Sequence, residues 1–331
     1  MEISSSSRPG VLFRKASVLL VALVLSLTAG CSPAPEPVRI ASHVWVGYEP
    51  MFLARSRGWL DEDLVTLHET TAASESLSLL ASGEVDGAAL TLDEVLKARQ
   101  DGIPLTIILV FNISAGADVI LAAEPMTELT ELQGLRVGFE HGAVGELMIV
   151  EALRRAGLST DDIEALYISP NLHVEAWSEG LVDVIVTYEP RASRIRAMGA
   201  VEVFDSRQIP EYIVDVLAIR SDRMSRSRNA ALRHLVEAQL RSLDHFQRNP
   251  QDAAFRMSPR LNLPATEVLP AFRGLVLPDK AANHRLLSGR NAELLPGARA
   301  LMAFKIEQGL LEAEDDLTGL VTGAYLPRLE P

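Results

Sequence analysis

Cysteine is almost absent: Cys31 is the single thiol in 331 residues. With no second cysteine, no intrachain disulfide can form, even in an oxidising compartment. Positive charge is short as well. Against 44 acidic residues stand 31 basic ones, a formal net charge of -13. That balance argues against nucleic acid, which needs a basic footprint, and gives no overall field to steer anionic substrates. Enzyme signatures are missing: there is no G-x-S-x-G, no G-x-x-x-x-G-K-S/T and no H-E-x-x-H. The seven histidines are scattered without a close metal-ligand pair. No catalytic residue, metal or cofactor is expected.

What is there begins with an export signal. Arg14 and Lys15 precede an apolar run from Val18 to Leu27 and then small residues. The run is too short for a comfortable membrane span. It ends at "LTAGC", which resembles a bacterial lipobox with Cys31 as the lipidated first residue of the mature chain. "SPAPEP" (32–37) reads as a stiff, polyproline-prone spacer.

The remainder, in a chain that is 48% hydrophobic, suffices for two packed domains. An internal repeat supports that division. "SGEVDGAALTLDEV" (82–95) and "EGLVDVIVTYEPRA" (179–192) share a frame in which Gly83, Val85 and Asp86 match Gly180, Val182 and Asp183. The same offset of 97 carries "VRIA" (38–41) onto "LRVG" (135–138). Two α/β lobes of similar plan are expected, with Asp86 and Asp183 as structural, turn-fixing residues. Strands are expected at 38–43, 64–70, 87–91, 105–112 and 117–123, and then at 135–140, 164–169, 183–188, 201–205 and 212–220. Helices are expected from 50, with Pro50 in the first turn, from Ser74 as N-cap, over 144–158 with Gly157 as stop, and over 229–249.

In open α/β sheets, ligands lie beyond the carboxyl ends of strands, at helix N-termini. Nearly every unusual polar group falls at such an end. Trp45, Tyr48 and Glu49 follow the first strand, and Thr91 and Asp93 follow "GAAL". Asn112, Ser114 and Asp118 flank "NISAGAD"; Glu140, His141 and Gly142 follow "RVGF"; Tyr188 and Glu189 follow "VIVT". If the lobes face one another, these converge on one cleft. Each has a structural alternative. The rings can be core, and Glu49, Ser74 and Asp93 can simply serve helix N-termini. Asp118 can stabilise its loop, and His141 can be solvated.

"WVGYEPMFLARSRGWL", "GEVDGAALTLDE", "NISAGAD" and "VTYEP" resemble the bacterial periplasmic solute-binding proteins of the nitrate, sulfonate and thiamine-precursor group. These are the extracytoplasmic subunits of ABC importers. The resemblance covers about residues 38–328. It implies an α/β, type II periplasmic-binding-protein fold: two Rossmann-like lobes joined by crossover strands near 118–123 and 215–220. Lobe 1 would take 38–123 and the return from 216 to 331, and lobe 2 would take 124–215. The resemblance carries ligand contact onto Trp45, Tyr48, Ser74, Thr91 and Asp93 on one side. On the other side it carries contact onto Ser114, Asp118, Gly142, Ala143 and Glu189. The cysteine-rich motif of the related pyrimidine-forming enzyme is absent.

The resemblance also implies partners: a small-molecule ligand, a permease with its ATPase, and the membrane through a lipid anchor, for a monomeric, exported protein. A ligand sensor feeding a signalling partner, or an extracytoplasmic enzyme, are the alternatives. The candidate loops hold Glu49, Asp93, Asp118, Glu140 and Glu189 beside three rings, and no arginine except Arg191. Rings with carboxylates suit an aminopyrimidine-like or amine-bearing molecule better than an inorganic oxyanion.

Overall fold

The computed structural model describes residues 36–329. The signal and Cys31 lie outside the described residues. Among the described residues, no helix is long and apolar enough to cross a membrane.

Two mixed sheets organise the chain. The first contains β1 (Val38–His43), β2 (Val65–Thr70), β3 (Gly87–Thr91), β4 (Leu105–Ser114), a strand β10 (Val214–Arg220) and a short β11 (Leu275–Val276), in the order β11-β4-β10-β3-β1-β2. The second contains β5 (Asp118–Ala122), β6 (Arg136–Phe139), β7 (Glu164–Tyr167), β8 (Val184–Tyr188) and β9 (Val201–Asp205), in the order β7-β6-β8-β5-β9. In each sheet three strands are parallel: β2-β1-β3 in one and β7-β6-β8 in the other. Each triplet is then closed by an antiparallel strand, β10 or β5. β3 and β8 are buried along their whole length and β4 at every residue but Ile113, as helix-covered sheets require.

Helices α1 (Glu49–Ser56), α2 (Ala73–Ser82) and α3 (Leu92–Gln100) serve the first sheet. Helices α4 (Val144–Ala156), α5 (His173–Ser178) and α6 (Arg191–Ala197) serve the second. Pro50 lies in the first turn of α1, and α4 stops on Gly157 with a left-handed φ of 70°. The sequence pattern past residue 229 becomes the 20-residue α7 (Asn229–Arg248), followed by shorter helices that pack on the first sheet's lobe. Ser74 is not the N-cap of α2: Ala72 is, and Ser74 lies inside the first turn.

The 97-residue repeat corresponds to a repeated device. Arg39 on β1 donates its backbone N–H (2.9 Å) and Nε (3.1 Å) to Asp86, and Nη2 to the Gly83 carbonyl (3.1 Å). Arg136 on β6 donates its N–H (3.0 Å) and Nε (3.0 Å) to Asp183, and Nη1 to the Gly180 carbonyl (2.8 Å). Each clamp ties the first strand of a lobe to the turn that feeds its third strand. This is the structural role read for the two aspartates.

The chain passes between sheets twice. The whole of residues 118–122 pairs in the second sheet, with β8 and β9, and 214–220 pairs entirely in the first. The passages are therefore 115–117 and 206–213, not strands 118–123 and 215–220 themselves. Boundaries set at 123 and 215 fall inside or just past strands, because both runs are apolar and nothing in their pattern says which sheet they join. Gly116, at φ 111°, turns the first passage.

The two clamps differ in burial: the Asp86 side chain is 1% exposed and that of Asp183 is 36% exposed. Asp86→Ala should therefore lower stability in urea unfolding by about 3 kcal/mol, and Asp183→Ala by about 1 kcal/mol. Equal losses would show that burial does not set the strength of the clamp.

Candidate functional site

Register brings the polar strand ends together. In the second sheet Asp118 pairs with Tyr188. In the first, Asp215 sits between Thr91 on β3 and Asn112 on β4. The carboxyl ends of the parallel strands in both sheets face one cleft between the lobes. Its inner cavity is nearly closed, ≈ 10 Å³, and is lined by residues of both lobes, among them Trp45, Tyr48, Thr91, Asp118, Glu140 and Tyr188. His43, Glu94 and Asp215 complete its polar wall. A second compartment, also ≈ 10 Å³, shares Asp118, Glu140 and Tyr188 and extends to His173. A larger groove of ≈ 670 Å³ lies on the outside of the first lobe, where two of its charged residues, Arg99 and Asp315, bind each other at 2.5 Å.

The rings meet across the cleft. Trp45 of the first lobe packs edge-on against Tyr188 of the second, with centroids 5.2 Å apart. His43 stands edge-on to Tyr48 at 5.3 Å. Gly47 makes this packing possible: a Cβ there would collide with the Asn112 amide and the Trp45 indole. Trp45 and Tyr48 are thus both buried and part of the cavity wall.

Carboxyl groups dominate the remaining wall. Tyr48 donates its hydroxyl to Asp215 at 2.5 Å. Glu94 accepts the Thr91 backbone N–H at 2.8 Å, closing a capping box on α3. Its other oxygen faces the Val144 N–H of the opposite lobe at 3.4 Å. Glu140 accepts the Ser74 N–H of the first lobe at 2.9 Å. Several buried polar atoms have no hydrogen-bond partner: Asp118 Oδ2, Asp215 Oδ2, Tyr188 Oη, Trp45 Nε1 and His43 Nδ1. Orphaned groups this deep are expensive unless something else satisfies them.

Crowding perturbs these groups. Burial lifts Asp118 to about 7, with Asp93 adding to the rise and the Ser114 hydroxyl opposing it. Burial also holds Asp215 and Glu94 well above the usual carboxylate range; Asp118 adds to the first, and Asp93 and Glu140 to the second. Glu140 is raised by burial and eased by the N–H groups of α2. His43 falls to about 3, through burial and the positive charges of Arg191 and Arg260, and is neutral. Four acids in one dry space cannot all ionise cheaply. A cation brought among them relieves both burial and repulsion.

The other expected site residues lie elsewhere. Glu49 is buried against Arg260, which also covers the Phe52 ring; this pairing turns it away from the cavity. Asp93 is buried between the Thr91 hydroxyl (2.5 Å) and Lys305 Nζ (3.2 Å). Glu189 caps its own helix, accepting from Ser193 Oγ (2.9 Å) and Arg196 (3.0 Å). Ser114, at the end of β4, bonds Ser206 at 2.7 Å, and Gly116 N–H donates to the same hydroxyl at 2.6 Å, tying the two passages between the lobes together. His141 is on the surface, bonded to Glu146 at 3.0 Å and stacked on Tyr167. Gly142 donates to the same Glu146, at 2.8 Å, and Ala143 is the N-cap of α4; neither is in the cavity wall. Ser74 reaches the site only through its contact with Glu140. Glu49, Asp93, Glu189, Ser114 and His141 are each claimed by a partner that the fold supplies.

Sequence reasoning missed His43, Glu94 and Asp215. Asp215 carried a usable signal, one acid inside the apolar run "YIVDVLAIR". Thr91-x-x-Glu94 reads as a helix start, which hides its second role across the cleft. Arg191 is buried next to the site, donating to the Val44 carbonyl of the other lobe at 3.1 Å, but is not in the wall. Among the described residues, no group of three or more His, Cys, Asp or Glu side chains is arranged to hold a metal.

The two sheets and the cleft between them define a two-lobed α/β fold of the type II periplasmic-binding-protein class. A sequence model of the family described as "NMT1/THI5 like" matches residues 45–253, and the chain belongs to that family. The chain is 28% identical over 190 residues to the putative aliphatic sulfonates-binding protein of Escherichia coli K12, a match covering 54% of this chain and 58% of that one. It is 20% identical over 220 residues to the taurine-binding periplasmic protein of the same strain, covering 66% and 65%. The matches thus span about three-fifths of these relatives. The alkanesulfonate-binding protein of Xanthomonas axonopodis pv. citri, solved with MOPS, superposes with a TM-score of 0.72 at 19% identity, over 85% of this chain and 96% of that one. The nitrate-binding protein of Synechocystis PCC 6803 superposes at 0.66 with 16% identity, over 86% and 85%. These superpositions establish the fold.

Because Asp118 is raised in the fold, the native protein holds a proton there that the unfolded chain has lost. The contribution of Asp118 to stability therefore falls as pH rises from about 4 to about 7 and levels off above. Asp118→Asn removes this penalty. Its stability relative to wild type should rise by a few kcal/mol between pH 4 and pH 8 in urea unfolding. An increment independent of pH would show that Asp118 ionises freely in the fold.

Proposed function

We infer that this protein is the extracytoplasmic substrate-binding subunit of an ABC importer, closing two lobes on an amine-bearing or aminopyrimidine-like nutrient. The observation that carries the ligand class is the cavity wall: Glu94, Asp118, Glu140 and Asp215 line it with Trp45, Tyr48 and Tyr188, and no lysine or arginine does. Orphaned carboxyl oxygens offer charge-assisted hydrogen bonds to N–H donors, and the rings offer apolar and π faces. Relatives named for sulfonates and taurine support the binding and transport class. Closure would be a hinge motion about the two passages. The partners would be a permease and its ATPase, with the protein monomeric, exported and held to the membrane through Cys31. Signalling to a receptor, or extracytoplasmic catalysis, remain the alternatives: neighbouring permease genes would favour import, and turnover of a bound compound would favour an enzyme. An anionic ligand is the competing reading within the import class; the buried Arg191 guanidinium beside the wall is what favours it.

A thermal-shift screen across pyrimidines, amines, sulfonates, nitrate and bicarbonate decides between the ligand classes. A ligand at a hundred times its Kd adds about 2.7 kcal/mol of apparent stability. An amine or pyrimidine is expected to stabilise the protein, and Trp45→Ala to weaken that effect without unfolding it. Stabilisation by nitrate or a sulfonate alone overturns the ligand class.

The anchor is tested separately. Cys31→Ser should release the protein from the membrane fraction, since acyl chains on that thiol would hold it there. A variant that stays bound after a high-salt wash overturns the lipoprotein reading.

A further inference from the structure

Two helices of sufficient length point their N-termini into the cleft from opposite lobes: α2, of 10 residues, and α4, of 13 residues. A free helix N-terminus is a ready anion site, with unpaired N–H groups and the positive end of the dipole. Neither is free here. Glu140, from the second lobe, lies on the first turn of α2, accepting from Ser74 N–H at 2.9 Å with Ala73 N–H adding to its stabilisation. Glu94, from the first lobe, lies on the first turn of α4, facing Val144 N–H at 3.4 Å. The exchange is reciprocal: each lobe covers the other's helix with its own carboxyl group. Both side chains are in the cavity wall, 1% and 5% exposed for Glu94 and Glu140.

The same cavity holds buried polar atoms without partners, Asp118 Oδ2, Asp215 Oδ2 and Tyr188 Oη, in residues 4%, 2% and 6% exposed. The two carboxyl groups accept in either state and also donate while protonated, and the hydroxyl can donate or accept. The wall thus sets its own carboxyl groups over the first turns of both helices and leaves carboxyl and hydroxyl groups open to a ligand.

We propose that Glu94 and Glu140 are the charge-selecting residues of the cleft: their carboxyl oxygens occupy the helix N-terminal N–H groups that an oxyanion would need, so the cleft rejects oxyanions and accepts small N–H-rich cations. This rests on the cleft being the ligand site. An oxyanion entering this wall must displace a carboxyl group from each helix and then sit among four acids. A cation displaces nothing and meets Asp118 and Asp215.

The test is calorimetric titration of methanesulfonate and of sulfate into wild-type protein and into Glu94→Ala, Glu140→Ala and the double variant, each checked for a cooperative melt. Wild type is expected to bind neither at millimolar concentration. The double alanine variant is expected to bind methanesulfonate at least tenfold more tightly than wild type. The paired Glu94→Gln and Glu140→Gln variant keeps an acceptor oxygen over each N–H and should remain as indifferent to anions as wild type. Wild type binding methanesulfonate as tightly as the alanine variants overturns the proposal, as does a folded double alanine variant with no gain. A tenfold gain in the glutamine pair also overturns it, and that measurement stands even if the alanine variants do not fold. Amine binding to wild type, lost in Trp45→Ala, tests the cleft reading independently and can succeed while the charge-selection proposal fails.

Discussion

Four carboxyl groups sharing one dry pocket set the terms on which the two lobes meet. Burial alone would make Glu94, Asp118, Glu140 and Asp215 costly, and their mutual repulsion adds to that cost. The fold offsets part of it with the donors it has at hand. Tyr48 gives a hydroxyl to Asp215, and helix first turns give N–H groups to Glu94 and Glu140. Because the helix that serves each glutamate comes from the opposite lobe, these contacts exist only when the lobes are together. Electrostatics of the pocket and relative position of the lobes are thus one problem.

The scaffold beneath is built to keep that problem local. Each lobe repeats a parallel triplet closed by an antiparallel strand, and each triplet is pinned by the same arginine–aspartate clamp far from the cleft. The passages between lobes are short, 115–117 and 206–213, and are joined by Ser114 and Ser206 at 2.7 Å. Each sheet is therefore complete within its own lobe, and only these short passages link the two.

Arg191 shows how narrow the electrostatic margin is. Its guanidinium reaches from the second lobe to the Val44 carbonyl of the first, and its charge depresses His43 and eases Glu140. It contributes positive potential without entering the wall. Arg260 acts similarly on the far side, where it holds Glu49 and lies 3.3 Å from the Phe52 ring centroid. Both arginines are used to balance acids that the fold has buried, which leaves the wall itself to carboxyl groups and rings.

The sequence alone determined the two-lobe plan. Hydrophobic runs, glycine stops and the 97-residue repeat are local patterns, and local patterns specify strands, helices and their order. Asp86 and Asp183 were legible as structural for the same reason, because they recur at one place in each copy. Trp45, Tyr48, Thr91, Asp118 and Tyr188 were legible as wall residues, since strand ends converge in any such sheet. Which acids would join them was not. Glu49, Asp93 and Glu189 stand at strand ends just as Glu140 does, yet Arg260, Lys305, and Ser193 with Arg196 claim them. Those partners lie 211, 212 and only 4 to 7 residues away. Asp215 enters the wall because its strand returns from the other lobe and pairs beside Thr91. Glu94 enters because a helix from the other lobe ends above it. A side chain's position at a strand end is written in the local sequence, but whether a distant arginine, lysine or helix terminus reaches it first is settled only when the whole chain is packed.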